Sequence, residues 1–404
     1  VTAAGKGEAG RAGDDVRSDL HVAVELTGSG GLEIELISRV ASLYGESIRE
    51  TVRSTLSGMQ VEHARVRVDD KGAVPFVIAA RVEAAALRAG APSKGDGRPE
   101  RTVPPWPHSA RDRLRRSRLY LPGDQPKLQL NAGLHRPDGV ILDLEDSVHS
   151  DHKDAARLMV RNALRCVDFG SAERMVRINP LPLGLPDLDA VVPENPDLVL
   201  LPKTESAEQV AAVDARIREV LGVASDAEPP VWIMPILETA LGIERAFEVA
   251  VCSPAVAALT IGLEDYTADL GVPKTLEGGE SSYARGRLVN AAAAGGVQAI
   301  DSVFGDVGDE GGLRAWAGRS RALGFEGMGC IHPRQIHAIH EAFAPTKAEI
   351  EKALQVVAAF EEAETKGLGV VSLGTRMVDP PVVLRAQRLV DVARRAGLLE
   401  EAGP

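Results

Sequence analysis

The sequence predicts an α/β chain: a (β/α)8 TIM barrel with a helical C-terminal segment, preceded by a small α+β domain. From Ser117 onward eight short apolar runs end abruptly in polar residues: SRLYLPG, GVILDLED, MVRINP, LVLLPK, VWIMPILE, ALTIGLED, QAIDSVF and GMGCIHP. Continuous apolar strands of this kind are buried on both faces and belong to parallel sheets. Most of the runs lead into a stretch with helical spacing, and eight strand–helix units are what a closed barrel needs. A doubly wound open sheet is the alternative architecture for the same texture.

The elements follow in order. Residues 1–20 are Gly, Ala and charge, and read as a disordered tail. Residues 21–89 form a compact unit. Within it HVAVEL and LEIELIS alternate apolar and polar residues around TGSGG, which predicts a hairpin. Val40 to Leu56 carries apolar residues at helical spacing, and ARVRVDD and VPFVIAARVE read as two further strands around the turn DDKGA. Residues 90–116 are rich in Pro, Gly and Arg without periodicity, the texture of a linker. The barrel occupies 117–340. Residues 341–404 hold a helix (APTKAEIEKALQVVAAFEEAE), a break at VSLGTRMVDPP and a last helix rich in Arg.

Composition excludes some functions. A net charge of −12 with a pI near 5.4 is wrong for a nucleic-acid binder, whose affinity comes largely from neutralising phosphates. Cys166, Cys252 and Cys330 are scattered, without metal spacing or a disulfide framework, which suits a reducing cytoplasm. No apolar run reaches the roughly 20 residues that span a bilayer, so no membrane partner is expected. VTAAGKGEAGRAGDD lacks the apolar core of a signal peptide, and the expected location is cytoplasmic.

In a TIM barrel, chemistry collects at the C-terminal ends of the strands. Here those ends carry Asp143, Glu145 and Asp146 (second run), Arg177 and Asn179 (third), Lys203 and Glu205 (fourth), Glu238 (fifth), and Glu264 and Asp265 (sixth). Carboxylates on adjacent strands five and six are placed to share a hard cation. Mg2+ takes one or two of them and leaves its other positions to water and substrate. A 2-oxo or 2-hydroxy acid then chelates the ion, and Arg177 complements the same oxyanion. Salt bridges rimming the barrel are the competing reading. Lys203 also fits a Schiff-base lysine, although the carboxylates favour a metal enzyme and Glu205 offers Lys203 a simple partner. His332 in IHPRQI reads as a structural residue at a strand end. Arg118 and Lys127 flank the first strand–helix turn and are candidate phosphate-binding residues.

SRLYLPGDQPK, GVILDLEDSV, VRINPL, LVLLPKTES, PILETALGI, GLEDYTADLG, GMGCIHPRQI and MVDPPVV together resemble the citrate lyase beta-subunit family, within the HpcH/HpaI aldolase and malyl-CoA lyase group. The resemblance covers roughly residues 117–390. It implies a TIM barrel, a Mg2+ site, and retro-aldol or retro-Claisen cleavage of a hydroxyacyl thioester. It further implies a homo-oligomer, trimer or hexamer, in which the C-terminal segment is a lid over a neighbouring active site. The implied metal ligands are Glu238 and Asp265, and the implied substrate-binding arginine is Arg177. Glu145 and Asp146 would organise metal-bound water and the substrate end. Asp379 of MVDPPVV, otherwise a turn residue before Pro380, matches the aspartate that the lid delivers across a subunit boundary.

The N-terminal unit, closest in VDDKGA and ARVEAA, resembles the citrate lyase gamma subunit, an acyl carrier protein. That resemblance implies a CoA-derived, phosphopantetheine-type prosthetic group on a serine just upstream of the first strand. Ser18 is the serine there; DDVRSDLHV fits the family's surround with a one-residue shift, and a plain solvated tail residue is the competing reading. The fused segment points to a citryl thioester cleaved to oxaloacetate and an acetyl thioester, with a citrate lyase alpha (transferase) subunit as a further partner. The rivals are a malyl-, citramalyl- or methylmalyl-CoA lyase, a malyl-CoA thioesterase, and a non-catalytic assembly subunit.

Overall fold

The computed structural model describes residues 5–399 apart from 94, 105–106, 366–370 and 374–375. It opens with a four-stranded sheet of β1 (Lys6–Gly10), β2 (Leu20–Leu26), β3 (Leu32–Ser38) and β4 (Ala64–Asp70) in the order β1-β2-β4-β3. β1 and β4 run antiparallel to β2, and β3 runs parallel to β4. Two expectations fall here. The segment read as a disordered tail contains β1, which is held because it completes the edge of β2. The expected β2–β3 hairpin does not form, because β4 inserts between the two strands. Alternation set the faces correctly, with Leu20, Val22 and Val24 inward, but it carries no information about which strand is the neighbour.

Helix α1 (Ala41–Gly58) lies where helical spacing placed it. VPFVIAARVE, expected as a strand, is instead the start of helix α2 (Pro75–Arg88). A continuous apolar run does not distinguish a buried strand from a buried helix. Pro75 at the first helical position and the alanines that follow favour the helix. All residues from Phe76 to Ala86 are buried, since α2 is packed on both sides. One side meets β1 and β2, and the other meets the barrel helix Lys153–Cys166.

That second contact is stitched by polar groups. Asn162 Nδ2 donates to the Phe76 carbonyl at 3.1 Å, and Arg161 pairs with Glu83. Arg81 forms a two-bond fork with Asp19, both 3% exposed, and donates to the Asp124 carbonyl at 2.8 Å. The N-terminal domain is therefore docked on the barrel through a shared helix.

The barrel closes as expected from eight parallel strands: β5 (Ser117–Pro122), β6 (Gly139–Asp143), β7 (Glu173–Arg177), β8 (Leu198–Leu201), β9 (Trp232–Leu237), β10 (Ala258–Ile261), β11 (Gln298–Asp301) and β12 (Gly327–Cys330). Its interior is filled by Ile141, Met175, Leu198, Leu200, Met234, Ile236 and Ile300. The described residues of the linker 90–116 have no regular structure but are clamped: Arg98, Arg101 and Arg165 converge on Glu194, and Arg115 forks onto Glu173 with both fully buried. The C-terminal segment pairs helix Lys347–Thr365 with helix Pro380–Arg395 around its own small core of Ala353, Val356, Val383 and Val390. Between these helices, β13 (Val371–Leu373) and β14 (Arg376–Val378) form an antiparallel pair. Among the described residues no helix is long and apolar enough to cross a membrane.

Removing one partner of a buried ion pair strands the other charge, whereas replacing both with apolar groups is close to neutral. Asp19→Ala is therefore expected to lower unfolding stability by about 3–5 kcal/mol, and adding Arg81→Met to restore most of it. Urea denaturation of the two variants checks this; equal losses in both would show that the pair does not secure α2.

Candidate active site

One cavity of about 370 Å³ opens where the strands end, and its lining includes Asp143, Asp146, Arg177, Glu238, Gly262 and Asp265. Asp143 closes β6 and Arg177 closes β7, and the two are register partners across the strands. Arg177 grips Asp143 with Nε and a terminal nitrogen at 2.6 and 2.7 Å, reaches Glu145 at 2.7 Å, and lies 3.5 Å from Asp146. Its guanidinium also lies over the Tyr120 ring, 5.2 Å from the centroid. Burial opposes ionisation of Asp143, yet the Arg177 fork holds its carboxyl below the usual range. Burial pushes Glu145 up to about 8, against the pull of Arg177 and helped by its contact with Asp146.

Glu238 follows β9 directly, and Thr239 starts the next helix by accepting the Gly242 N–H at 3.1 Å. Asp265 sits in the first turn of helix Leu263–Leu270, where the helix dipole favours an acid. Between them stands Lys203. Its backbone takes the left-handed conformation (φ 50°), steadied by Gln209, which donates to the Lys203 carbonyl and caps the following helix. In that pose the Lys203 N–H donates to Glu238 Oε1 at 2.6 Å. Its ammonium lies 2.5 Å from Asp265 Oδ1 and 3.7 Å from Glu238 Oε1. Gly262 leaves room for this: a Cβ there would meet Glu238 Oε2 at 2.5 Å. Burial pushes Glu238 up to about 7, with Asp265 adding to the shift and Lys203 opposing it.

Glu238 and Asp265 thus already share one cation. Among the described residues no group of three or more His, Cys, Asp or Glu is placed to chelate an ion alone. That donor set fits Mg2+, which is content with two carboxylates and completes its octahedron from water and substrate.

The remaining expected residues divide. Lys203 is bound to Glu238 and Asp265, not to Glu205; burial lowers its proton affinity, but Asp265 and Glu238 raise it further, the reverse of what a Schiff-base lysine needs. His332 has the structural place expected of it, its Nδ1 accepting the Arg334 N–H at 3.1 Å. Asn179 is taken up by Asp187. Lys127 is exposed on the turn after β5. Arg118 is 1% exposed inside the barrel, so it cannot meet a carrier phosphate at the rim; it lines the same cavity from within. Asp379 caps helix Pro380–Arg395 through the Val382 N–H at 3.3 Å and is not among the residues lining its own chain's cavity. Ser18 is half-buried in a left-handed turn (φ 57°), its N–H donating to the Lys71 carbonyl, rather than in a free tail. Asp301 was missed, although QAIDSVF ends its strand on it; its carbonyl accepts from Arg118 at the cavity, while its carboxylate is taken up by Arg285 and Ser320.

A closed parallel barrel whose strand ends gather carboxylates around cations defines a TIM-barrel enzyme site. Residues 116–333 match the family model described as HpcH/HpaI aldolase/citrate lyase, and residues 8–89 match the one described as ACP, malonate decarboxylase delta subunit. The citrate lyase subunit beta of Leuconostoc mesenteroides subsp. cremoris is 38% identical over 294 residues, 72% of this chain and 97% of that protein. The L-malyl-CoA/beta-methylmalyl-CoA lyase of Rhodobacter capsulatus is 32% identical over 318 residues, 73% and 98% of the two chains. Among solved structures, the protein CitE from Mycobacterium tuberculosis in complex with magnesium, acetoacetate and coenzyme A is 31% identical. Its TM-score is 0.57, over 71% of this chain and 100% of that one. The chain belongs to the HpcH/HpaI aldolase/citrate lyase family; it is a carbon–carbon lyase with an acyl-carrier-like domain fused to its N-terminus.

Without Arg177 the 1%-exposed Asp143 carboxylate is left buried and unpaired. Arg177→Ala is expected to destabilise the fold by about 3–5 kcal/mol, and Arg177→Lys, which keeps the charge but not the fork, by less. A wild-type urea midpoint in Arg177→Ala would show that the pair is not what holds this corner of the site.

Proposed function

We propose that the chain cleaves a citryl thioester, carried on CoA or on its own carrier arm, to oxaloacetate and an acetyl thioester, with Mg2+ as cofactor. One observation carries the reading most: Glu238 and Asp265, following adjacent strands, share a single cation within the cavity that Arg177 lines. Bound there, Mg2+ supplies Lewis acidity toward the hydroxycarboxylate end of the substrate. Glu238 and Asp265 hold the ion. Arg177, oriented by Asp143, sets fixed positive charge against the alkoxide that forms when the substrate hydroxyl loses its proton. Glu145 and Asp146 organise the substrate end of the site. The hydroxyl proton passes to water held by Glu145 and Asp146, and the alkoxide electron pair becomes the carbonyl of oxaloacetate as the carbon–carbon bond breaks. The acetyl fragment leaves as an enolate, which Asp379 of a neighbouring chain protonates at carbon. Because Asp379 caps a helix away from its own cavity, that role needs a homo-oligomer, a trimer or hexamer with the C-terminal segment as lid.

Ser18 is the proposed attachment point of a phosphopantetheine-type arm. Its neighbour Asp19 reaches, through Arg81, the Asp124 carbonyl in the turn after β5, on the side of the barrel where the strands end. A citrate lyase alpha-type transferase is the partner suited to loading such an arm, and the cytoplasm is the proposed location. The second reading, a malyl-, citramalyl- or methylmalyl-CoA lyase or a malyl-CoA thioesterase acting on free CoA substrates, draws on the 32% identity to the Rhodobacter lyase.

Incubation with citryl-CoA, malyl-CoA and citramalyl-CoA is expected to release oxaloacetate from the first, and EDTA to stop it. Asp265→Ala should remove turnover and Mg2+-induced thermal stabilisation together. Asp379→Asn should keep the stabilisation and lose about 10²–10⁴-fold in turnover. Full Mg2+-stimulated activity in Asp265→Ala would sink the site, parallel losses of both properties in Asp379→Asn would sink the proton transfer, and faster release from malyl-CoA would favour the second reading. Intact-mass spectrometry should find a phosphopantetheine-type adduct that Ser18→Ala removes; an unmodified chain active on free CoA thioesters counts against the carrier role.

A further inference from the structure

Arg118 is buried, and among the described residues it has no counter-ion. One terminal nitrogen donates to Met234 Sδ at 2.9 Å, and the other to Thr260 Oγ1 at 3.0 Å and to the Asp301 carbonyl at 3.4 Å. Its Nε finds no partner. The contrast with the other buried arginines is sharp. Arg115 sits on Glu173, Arg174 on Asp197 and Arg285 on Asp301, and Arg81, Arg161 and Arg218 are likewise paired with carboxylates. A guanidinium does not give up its proton under protein conditions, so this charge stays inside the barrel and is compensated only by neutral acceptors. Burial without a paired anion is strongly unfavourable, which makes such a residue a functional candidate rather than a structural one.

Its position indicates what would complete it. Arg118 and Thr260 both line the cavity that holds Glu238 and Asp265. Thr260 is the register partner of Ile236, two residues before Glu238 on the same strand. Two strand residues span about 6–7 Å, enough to separate a group held beside Glu238 from one held beside Thr260. Resting on the proposed metal-assisted oxoacid site, we infer that Arg118 is a specificity-determining residue that receives a second, distal carboxylate on the oxoacid half of the substrate. One carboxylate is held at the mouth, beside Glu238 and Asp265, and the other meets the guanidinium deeper in the barrel. A site so built selects dicarboxylic over monocarboxylic oxoacid units, because without the distal carboxylate Arg118 stays unpaired.

Malate and lactate, stable 2-hydroxy acids that differ by that distal carboxylate, are the probes, measured by calorimetry on the full chain in Mg2+. Wild type is expected to bind malate at least tenfold tighter than lactate. Arg118→Met should lose at least tenfold in malate affinity while lactate stays within about twofold. Its melting temperature should equal or exceed that of wild type, since a buried unpaired charge has been removed. A preference for malate that survives in Arg118→Met overturns the assignment while leaving the metal site standing. A lowered melting temperature with both affinities lost assigns Arg118 to the fold and also overturns it. Wild type that binds neither acid in Mg2+ overturns the metal-site reading, and this inference with it.

Discussion

The barrel mouth brings Asp143, Glu145, Asp146, Glu238 and Asp265 together around Arg177 and Lys203, and the rest of the site is arranged by that surplus of negative charge. Two cations do not neutralise five carboxylates in a half-enclosed space. The strain shows in Glu145 and Glu238, whose carboxyls burial pushes up to about 8 and about 7. An anionic substrate would meet repulsion at such a mouth. The proposed Mg2+ adds two positive charges beside Glu238 and Asp265, cutting the formal excess at the mouth from three negative charges to one. Arg118 completes the gradient from below, so that charge changes sign along the depth of the cavity.

A second constraint is the double burial of α2. A helix that serves two cores has no solvated face, which explains both its unbroken apolar sequence and its charged residues. Arg81 and Glu83 point at fixed partners, Asp19 and Arg161, rather than at water. Through Arg81 the loop that carries Ser18 is tied to the turn following β5.

The parts that were legible in the sequence are those governed by local patterning. All eight barrel strands were found, because a strand buried on both faces is apolar throughout and its end is marked by the first polar residue. The strand-end rule also located Glu238, Asp265, Arg177 and Asp143, which do converge. Partners brought by the tertiary fold were not legible. β4 separates β2 from β3 although it follows them by some distance in the chain. α2 read as a strand because continuous burial erases the helical period. Glu205, its neighbour in sequence, was one partner open to Lys203, yet a left-handed backbone turns Lys203 toward two other strands. Arg118 was placed at the rim, when alternation with Leu119 and Leu121 turns it into the barrel.

The shared helix also settles a matter of stoichiometry. Carrier domains supplied as separate polypeptides vary in number with their expression and dissociate on dilution. Here the carrier-like domain is joined in sequence and packed into the barrel's own core, at one copy per barrel. Whatever the number of chains in the assembly, each active barrel has its own carrier-like unit at an effective concentration that dilution does not change.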